Sequence, residues 1–139
     1  MLYGQYRHNV DAKGRLSVPA KWRDKLGDTF MAAAVIDPCI CLYSMAEWDK
    51  LMAGLNEMPM TKARRLQRYL SANAVDVTID AQGRILLPKH LLDYAGLTKE
   101  TMVIGAGNHA ELWHPEEYIT EITRMTPTEI ESEFAELGF

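Results

Sequence analysis

Asp11-Ala12-Lys13-Gly14-Arg15 and Asp80-Ala81-Gln82-Gly83-Arg84 repeat one arrangement of carboxylate, glycine and guanidinium 69 residues apart. An aspartate at the first position of a turn accepts hydrogen bonds from backbone amides two or three residues on, and glycine takes a positive φ without steric penalty. Asp11 with Gly14, and Asp80 with Gly83, are therefore expected to close tight hairpin turns. The arginine that follows each turn leaves it on a stiff strand, where its guanidinium can fork onto phosphate oxygens or onto O6 and N7 of guanine. A β-ribbon that carries such residues can enter a major groove. Lys13 and Arg15, with Arg7 on the incoming strand, make the first tip the richer in cations; the second keeps Arg84 but has Gln82 where Lys13 stands. The first loop is thus the expected main contact with double-stranded DNA, and Arg84 a secondary or structural one. The alternative for each arginine is a solvated side chain, or a partner for its own loop aspartate.

The elements that must hold these loops are repeated as well. Gln5 to Val10 reads as a strand, Arg15 to Val18 as its return, and the alternation Val75, Val77, Ile79 gives the second copy the same lead-in. Pro19 and Pro88 close the return strands and open short helices that Gly27 and Gly96 stop. Strands at Phe30 to Ile36 and Ile40 to Tyr43 answer to strands at Thr101 to Ile104 and Glu111 to Trp113. Each copy then ends on a helix start, Ser44 with Glu47 in one and His114-Pro115-Glu116-Glu117 in the other. A helix from Thr61 to Leu70 follows the first copy, and Thr126 with Glu129 opens a last, acidic helix. Leu51, Leu55, Leu66 and Leu70 are expected to form the apolar side of the first helical extension, with Ile119, Ile122 and Ile130 in the second. A duplication of this kind means that one supersecondary unit was used twice, with a core shared between the copies.

Catalytic patterns are not met. Gly105-Ala106-Gly107-Asn108-His109-Ala110 fits a dinucleotide fingerprint by letter, but a short strand and Pro115 follow where that fingerprint needs a helix. His8, His90, His109 and His114 lack paired ligand spacing, and Cys39 and Cys41 stand alone at i, i+2, so they read as small buried apolar residues; no metal and no cofactor is expected. The chain has no G-x-S-x-G elbow, and an enzyme is not expected.

The 139 residues suit one compact domain or two small units with a common core, and 47% hydrophobic with 24% charged residues is ordinary globular composition. No apolar run is long enough to span a bilayer and no signal core follows Met1, so a cytoplasmic protein without membrane partners is expected. The net charge of −4 is unevenly spread: residues 1 to 27 carry Arg7, Lys13, Arg15, Lys21, Arg23 and Lys25 against Asp11 and Asp24, whereas seven glutamates after His114 face Arg124 alone. This asymmetry suggests a basic working face on an acidic body. The basic run Lys62, Arg64, Arg65 and Arg68 reads as a solvated helix face or as a partner for tail glutamates of a neighbouring subunit.

The two D-x-x-G-R loops, the Leu16-to-Pro19 and Ile85-to-Pro88 strands, and the closings Leu42-Tyr43 with Glu47-Trp48 and Leu112-Trp113 with Glu117-Tyr118 together resemble the MraZ family of bacterial transcriptional regulators. The resemblance runs from Met1 to about Tyr118. It implies an α+β fold in which two swapped-hairpin, SpoVT-AbrB-type units form one β-barrel core with helical extensions. The implied organisation is unit 1 at 5–47, a helical linker at 48–75, unit 2 at 76–119 and an acidic helical tail at 120–139. It further implies a ring homo-oligomer on the nucleoid that binds repeated promoter boxes upstream of the cell-division and cell-wall gene cluster, its own promoter included, usually as a repressor. A ring would let individually weak phosphate contacts act together, and direct-repeat operators follow from that geometry. The competing reading is an antitoxin-like or structural interaction module of the same fold.

Overall fold

The computed structural model describes all 139 residues as a mixed α+β fold of eight strands and six α-helices. The first copy comprises β1 (Gln5–Asn9), β2 (Arg15–Ser17), a 3-10 turn at Ala20–Trp22 running into α1 (Arg23–Leu26), β3 (Thr29–Ala33), β4 (Ile40–Tyr43) and α2 (Met45–Leu55). After α3 (Met60–Asn73) the second copy repeats the series as β5 (Val75–Thr78), β6 (Arg84–Leu86), α4 (Lys89–Ala95), β7 (Glu100–Gly105), β8 (Ala110–Trp113) and α5 (Pro115–Thr123), and α6 (Pro127–Ala135) ends the chain.

The strands pair across the copies. Six of them form an antiparallel sheet in the order β1-β7-β8-β4-β3-β5, and β2 and β6 form a separate two-stranded ribbon. The expected local hairpin is therefore corrected: the Asp11 turn joins β1 to β2, yet β1 pairs with β7 and β2 with β6. The second copy mirrors this, with β5 on β3. Two pairings lie on the pseudo-two-fold axis that relates the copies, Leu16 opposite Ile85 in the ribbon and Cys41 opposite Glu111 in the sheet. The sheet stays open, because β1 and β5 each pair on one side only. The expected β-barrel core is therefore not closed by hydrogen bonds; the mixed α+β fold carries an open, covered sheet.

Both sheet faces are covered, and β4 shows why all four of its residues are buried. Ile40 and Leu42 point to one core with Leu16, Val18, Trp22, Phe30, Ile85, Leu91 and Leu112, which draws on both copies and lies toward the ribbon and short helices. Cys41 and Tyr43 point to a second core with Trp48, Leu55, Leu70, Met102 and Trp113, toward the long helices. The period-2 alternation of a strand thus divides one tetrapeptide between two cores.

Helix ends follow the capping signals. The Glu47 amide donates to Ser44 Oγ at 3.2 Å, the Glu116 amide to His114 Nδ1 at 3.1 Å and the Glu129 amide to Thr126 Oγ1 at 3.2 Å. Asn73 at the end of α3 clamps the β3–β4 connection, accepting from the Ala34 amide at 2.8 Å and donating to its carbonyl at 2.9 Å. Leu55 and Leu70 are buried as expected, but Leu66 is exposed, and so are Ile119, Ile122 and Ile130. The apolar side expected of the second extension stays largely exposed, and α5 and α6 have no buried residue.

Candidate nucleic-acid interface

Each loop is built around its aspartate. Asp11 Oδ1 accepts from the Lys13 and Arg15 amides, both at 2.9 Å, and the Gly14 amide closes the turn on the Asp11 carbonyl at 3.0 Å. Asp80 Oδ1 accepts from the Gln82 and Arg84 amides at 2.9 Å, and the Gly83 amide closes on the Asp80 carbonyl at 3.0 Å. The backbone hydrogen bond from Arg15 holds the Asp11 carboxyl below its ordinary pKa, and the one from Arg84 does the same for Asp80. Gly14 and Gly83 have φ of +89° and +78°, the region that glycine enters freely.

The swap brings the two loops to one ribbon. The Gly14 carbonyl accepts from the Leu87 amide at 2.9 Å, and the Gly83 carbonyl accepts from the Val18 amide at 3.0 Å. Leu16 and Ile85 point inward, so Arg15, Ser17, Arg84 and Leu86 form the outward face, with Arg15 opposite Leu86 and Ser17 opposite Arg84. The two arginines therefore lie diagonally on one small surface.

Both arginines pair with their own aspartate. Arg15 Nε donates to Asp11 Oδ2 at 2.8 Å and Arg84 Nε to Asp80 Oδ2 at 3.3 Å. Arg84 Nη1 also stands 3.9 Å from Asp11 Oδ2, so the loops are linked electrostatically. These contacts engage the Nε edge and leave the Nη nitrogens of Arg15 without a hydrogen bond in the chain. Pairing with the loop aspartate and presentation of the fork are thus compatible: the carboxylate fixes the guanidinium plane while its outer edge faces solvent.

The other expected cations divide. Lys13 is exposed at the first tip. Arg7 lies on the outward side of β1 and is ion-paired with Glu100 on β7, so it is partly neutralised. Arg23 was not singled out by sequence. Its Nε and Nη2 donate to the Val18 carbonyl at 3.3 and 3.1 Å, and its guanidinium lies against the second turn, 2.3 Å from where a Cβ on Gly83 would stand. The signal that could have found it is the repeat itself: the equivalent residue Leu92 lies against Gly14, its Cδ1 3.3 Å from a Cβ built there. Leu86, 60% exposed among the arginines, was missed for the same reason, since the ribbon pairing that turns it outward is non-local. Gly105 to Ala110 joins β7 to β8 and no helix follows it, so the dinucleotide fingerprint has no structural counterpart.

The fold is a duplicated α+β arrangement with one arginine of each copy on a shared ribbon, and comparison with known proteins gives its class. A family model described as "MraZ protein, putative antitoxin-like" matches residues 1–68 and 70–134. The chain is 44% identical over 115 residues to a protein of Acetivibrio thermocellus named transcriptional regulator MraZ, covering 81% of this chain and 80% of that one. It is 43% identical over 120 residues to one of the same name from Natranaerobius thermophilus, covering 85% and 84%. A third, from Caldicellulosiruptor bescii, is 37% identical over 142 residues and covers 99% of both chains. The chain belongs to the MraZ family, and with it to the transcriptional regulators, a non-enzymatic class. No helix is long and apolar enough to cross a membrane.

Proposed function

We propose that this protein is a sequence-specific DNA-binding regulator, a repressor of the cell-division and cell-wall gene cluster, that grips repeated promoter boxes with the β2–β6 ribbon. The observation that carries this reading is the pair of arginines, one from each repeat, each oriented by its loop aspartate on one outward face, with the Nη groups of Arg15 free and Arg84 Nη1 near Asp11. Arg15 and Arg84 supply the bidentate contacts, to guanine or to phosphate, Lys13 adds a phosphate contact at the first tip, and Arg7 contributes from the flank when it exchanges Glu100 for a phosphate. Asp11 and Asp80 act as positioning residues, and the exposed Leu86 is suited to contact a thymine methyl group. Each repeat is read as an SpoVT-AbrB-type unit whose arm is exchanged with the other.

Two or three cations bind a duplex weakly, so the reading includes a ring homo-oligomer that repeats the ribbon along the DNA. Charge and apolar exposure support self-association. Lys62, Arg64, Arg65 and Arg68 of α3 are exposed and make no ion pair within the chain. The acidic α5 and α6 leave Ile119, Ile122, Ile130 and Phe134 exposed, apolar area that an interface between subunits would cover. The place of action is the nucleoid in the cytoplasm. Sedimentation of the full chain, with and without DNA from upstream of its own coding sequence, tests this. A multimer that salt loosens and DNA retains is expected; a monomer at all salt concentrations contradicts the ring.

A further inference from the structure

We propose that Cys39, Cys41 and Glu111, with His109 holding the carboxylate, form a site for one thiophilic divalent cation, zinc(II) by its chemistry, on the pseudo-two-fold axis between the repeats. The site arises from the duplication. Cys39-Ile40-Cys41 and His109-Ala110-Glu111 are equivalent i, i+2 pairs of the two copies, and β4 and β8 pair so that Cys41 stands directly opposite Glu111. Successive odd positions of a strand share a face, so the pairing brings the two sulfurs and a Glu111 carboxylate oxygen to one place, with His109 beside the carboxylate.

The geometry suits a tetrahedral ion. The two sulfurs are 4.0 Å apart, and both cysteines are free and buried. A zinc ion with bonds of about 2.3 Å to each of two thiolates sets them about 3.8 Å apart. The two sulfurs and a Glu111 carboxylate oxygen all lie within 4.8 Å of one another. Glu111 is locked from behind: Oε1 accepts from Trp113 Nε1 at 2.9 Å, and Oε2 lies 2.9 Å from His109 Nε2. The His109 ring stacks on Tyr43 with centroids 5.0 Å apart. This is the arrangement by which an outer histidine orients a ligating carboxylate.

Binding would cost each thiol its proton, released to solvent as the two sulfur–metal bonds form. The fourth position is left to water from the side where His109 and Glu111 reach solvent, each 18% exposed. Two thiolates with one carboxylate favour zinc over magnesium or calcium, which take oxygen ligands. The site lies in the core on the helix side of the sheet, away from the ribbon, and ties β4 of one repeat to β8 of the other. It stands independently of the DNA-binding reading.

Cobalt(II) titration of the reduced, metal-free full-length protein tests the proposal. The expected result is one ion per chain with tetrahedral visible absorption and sulfur-to-cobalt charge transfer, displacement by zinc(II), and release of about two protons per ion. Cys41→Ala, checked for fold by circular dichroism, should abolish the charge-transfer band, and His109→Ala should weaken binding by about 10–100-fold while keeping a tetrahedral spectrum. Reduced wild-type protein that gives no sulfur-to-cobalt band overturns the proposal, since that readout needs no variant to fold. So does a band that Cys41→Ala leaves unchanged in a folded protein.

Discussion

The two arginine loops share a shape but not a charge. In both, one carboxylate oxygen collects two backbone amides at 2.9 Å and the other takes the arginine Nε. The first adds Lys13 at its tip and rests on the apolar Leu92; the second carries Gln82 and rests on the Arg23 guanidinium. Positive charge is thus placed outward at the first loop and beneath the turn at the second. Duplication preserved what the turn needs for closure and let the recognition chemistry diverge, which is how one fold can present two unequal grips to a duplex.

The largest expected difference between the loops is in stability. Gly14→Ala meets both a φ of +89° and the fixed Leu87 carbonyl, 2.8 Å from the new Cβ, whereas Gly83→Ala meets φ of +78° and a guanidinium that can swing aside. Gly14→Ala should cost about 3 kcal/mol and Gly83→Ala about 1 kcal/mol. Urea unfolding of the two variants measures this, and equal losses would remove the asymmetry. Next comes affinity. Arg15→Ala should weaken binding to the promoter duplex by about 1–3 kcal/mol, with Arg84→Ala costing less because Lys13 supports the first loop. Fluorescence anisotropy at fixed salt ranks the two, and the reverse order would make the second loop dominant.

The smallest effect is in pH dependence. Both aspartates have folded-state pKa values below the ordinary one, so their stabilising contribution is fully present above about pH 4, the unfolded carboxylate value, and is lost as pH falls through the lowered folded value. Asp11→Asn should lower stability throughout the neutral range, where the ionised carboxylate contributes fully, and flatten the acid limb of the stability curve toward the variant's reduced level. An acid limb identical to wild type would show that Asp11 does not contribute to it.

What could be read from the chain and what could not divide along one physical line. Asp11 to Arg15, Ser44 with Glu47 and Thr126 with Glu129 form through bonds between residues two to four apart, so composition at fixed offsets was enough. The exchange of β1 onto β7 joins residues some ninety positions apart, such as Tyr6 and Val103, and no turn signal carries that information. The repeat offset hid one further detail. Phe30 and Thr101 occupy equivalent register positions against β5 and β1, 71 residues apart, although the loops before them are 69 apart. Residues were thus inserted between Gly96 and β7. The same non-local pairing turned Leu86 outward, set Arg23 on Gly83 and put Cys41 opposite Glu111. The sequence marks Ile119, Ile122 and Ile130 as one apolar side, but in the single chain all three stay exposed.

The central claim is that one arginine from each repeat grips duplex DNA from a common ribbon. It is tested most directly by anisotropy titration of the Arg15→Ala/Arg84→Ala double variant against wild type, on DNA from upstream of the coding sequence and on an unrelated duplex. Wild type should prefer its own fragment and bind it with a steep salt dependence, while the folded double variant loses that preference and at least tenfold in affinity. A folded double variant that still binds its own fragment with wild-type affinity and selectivity would contradict the account.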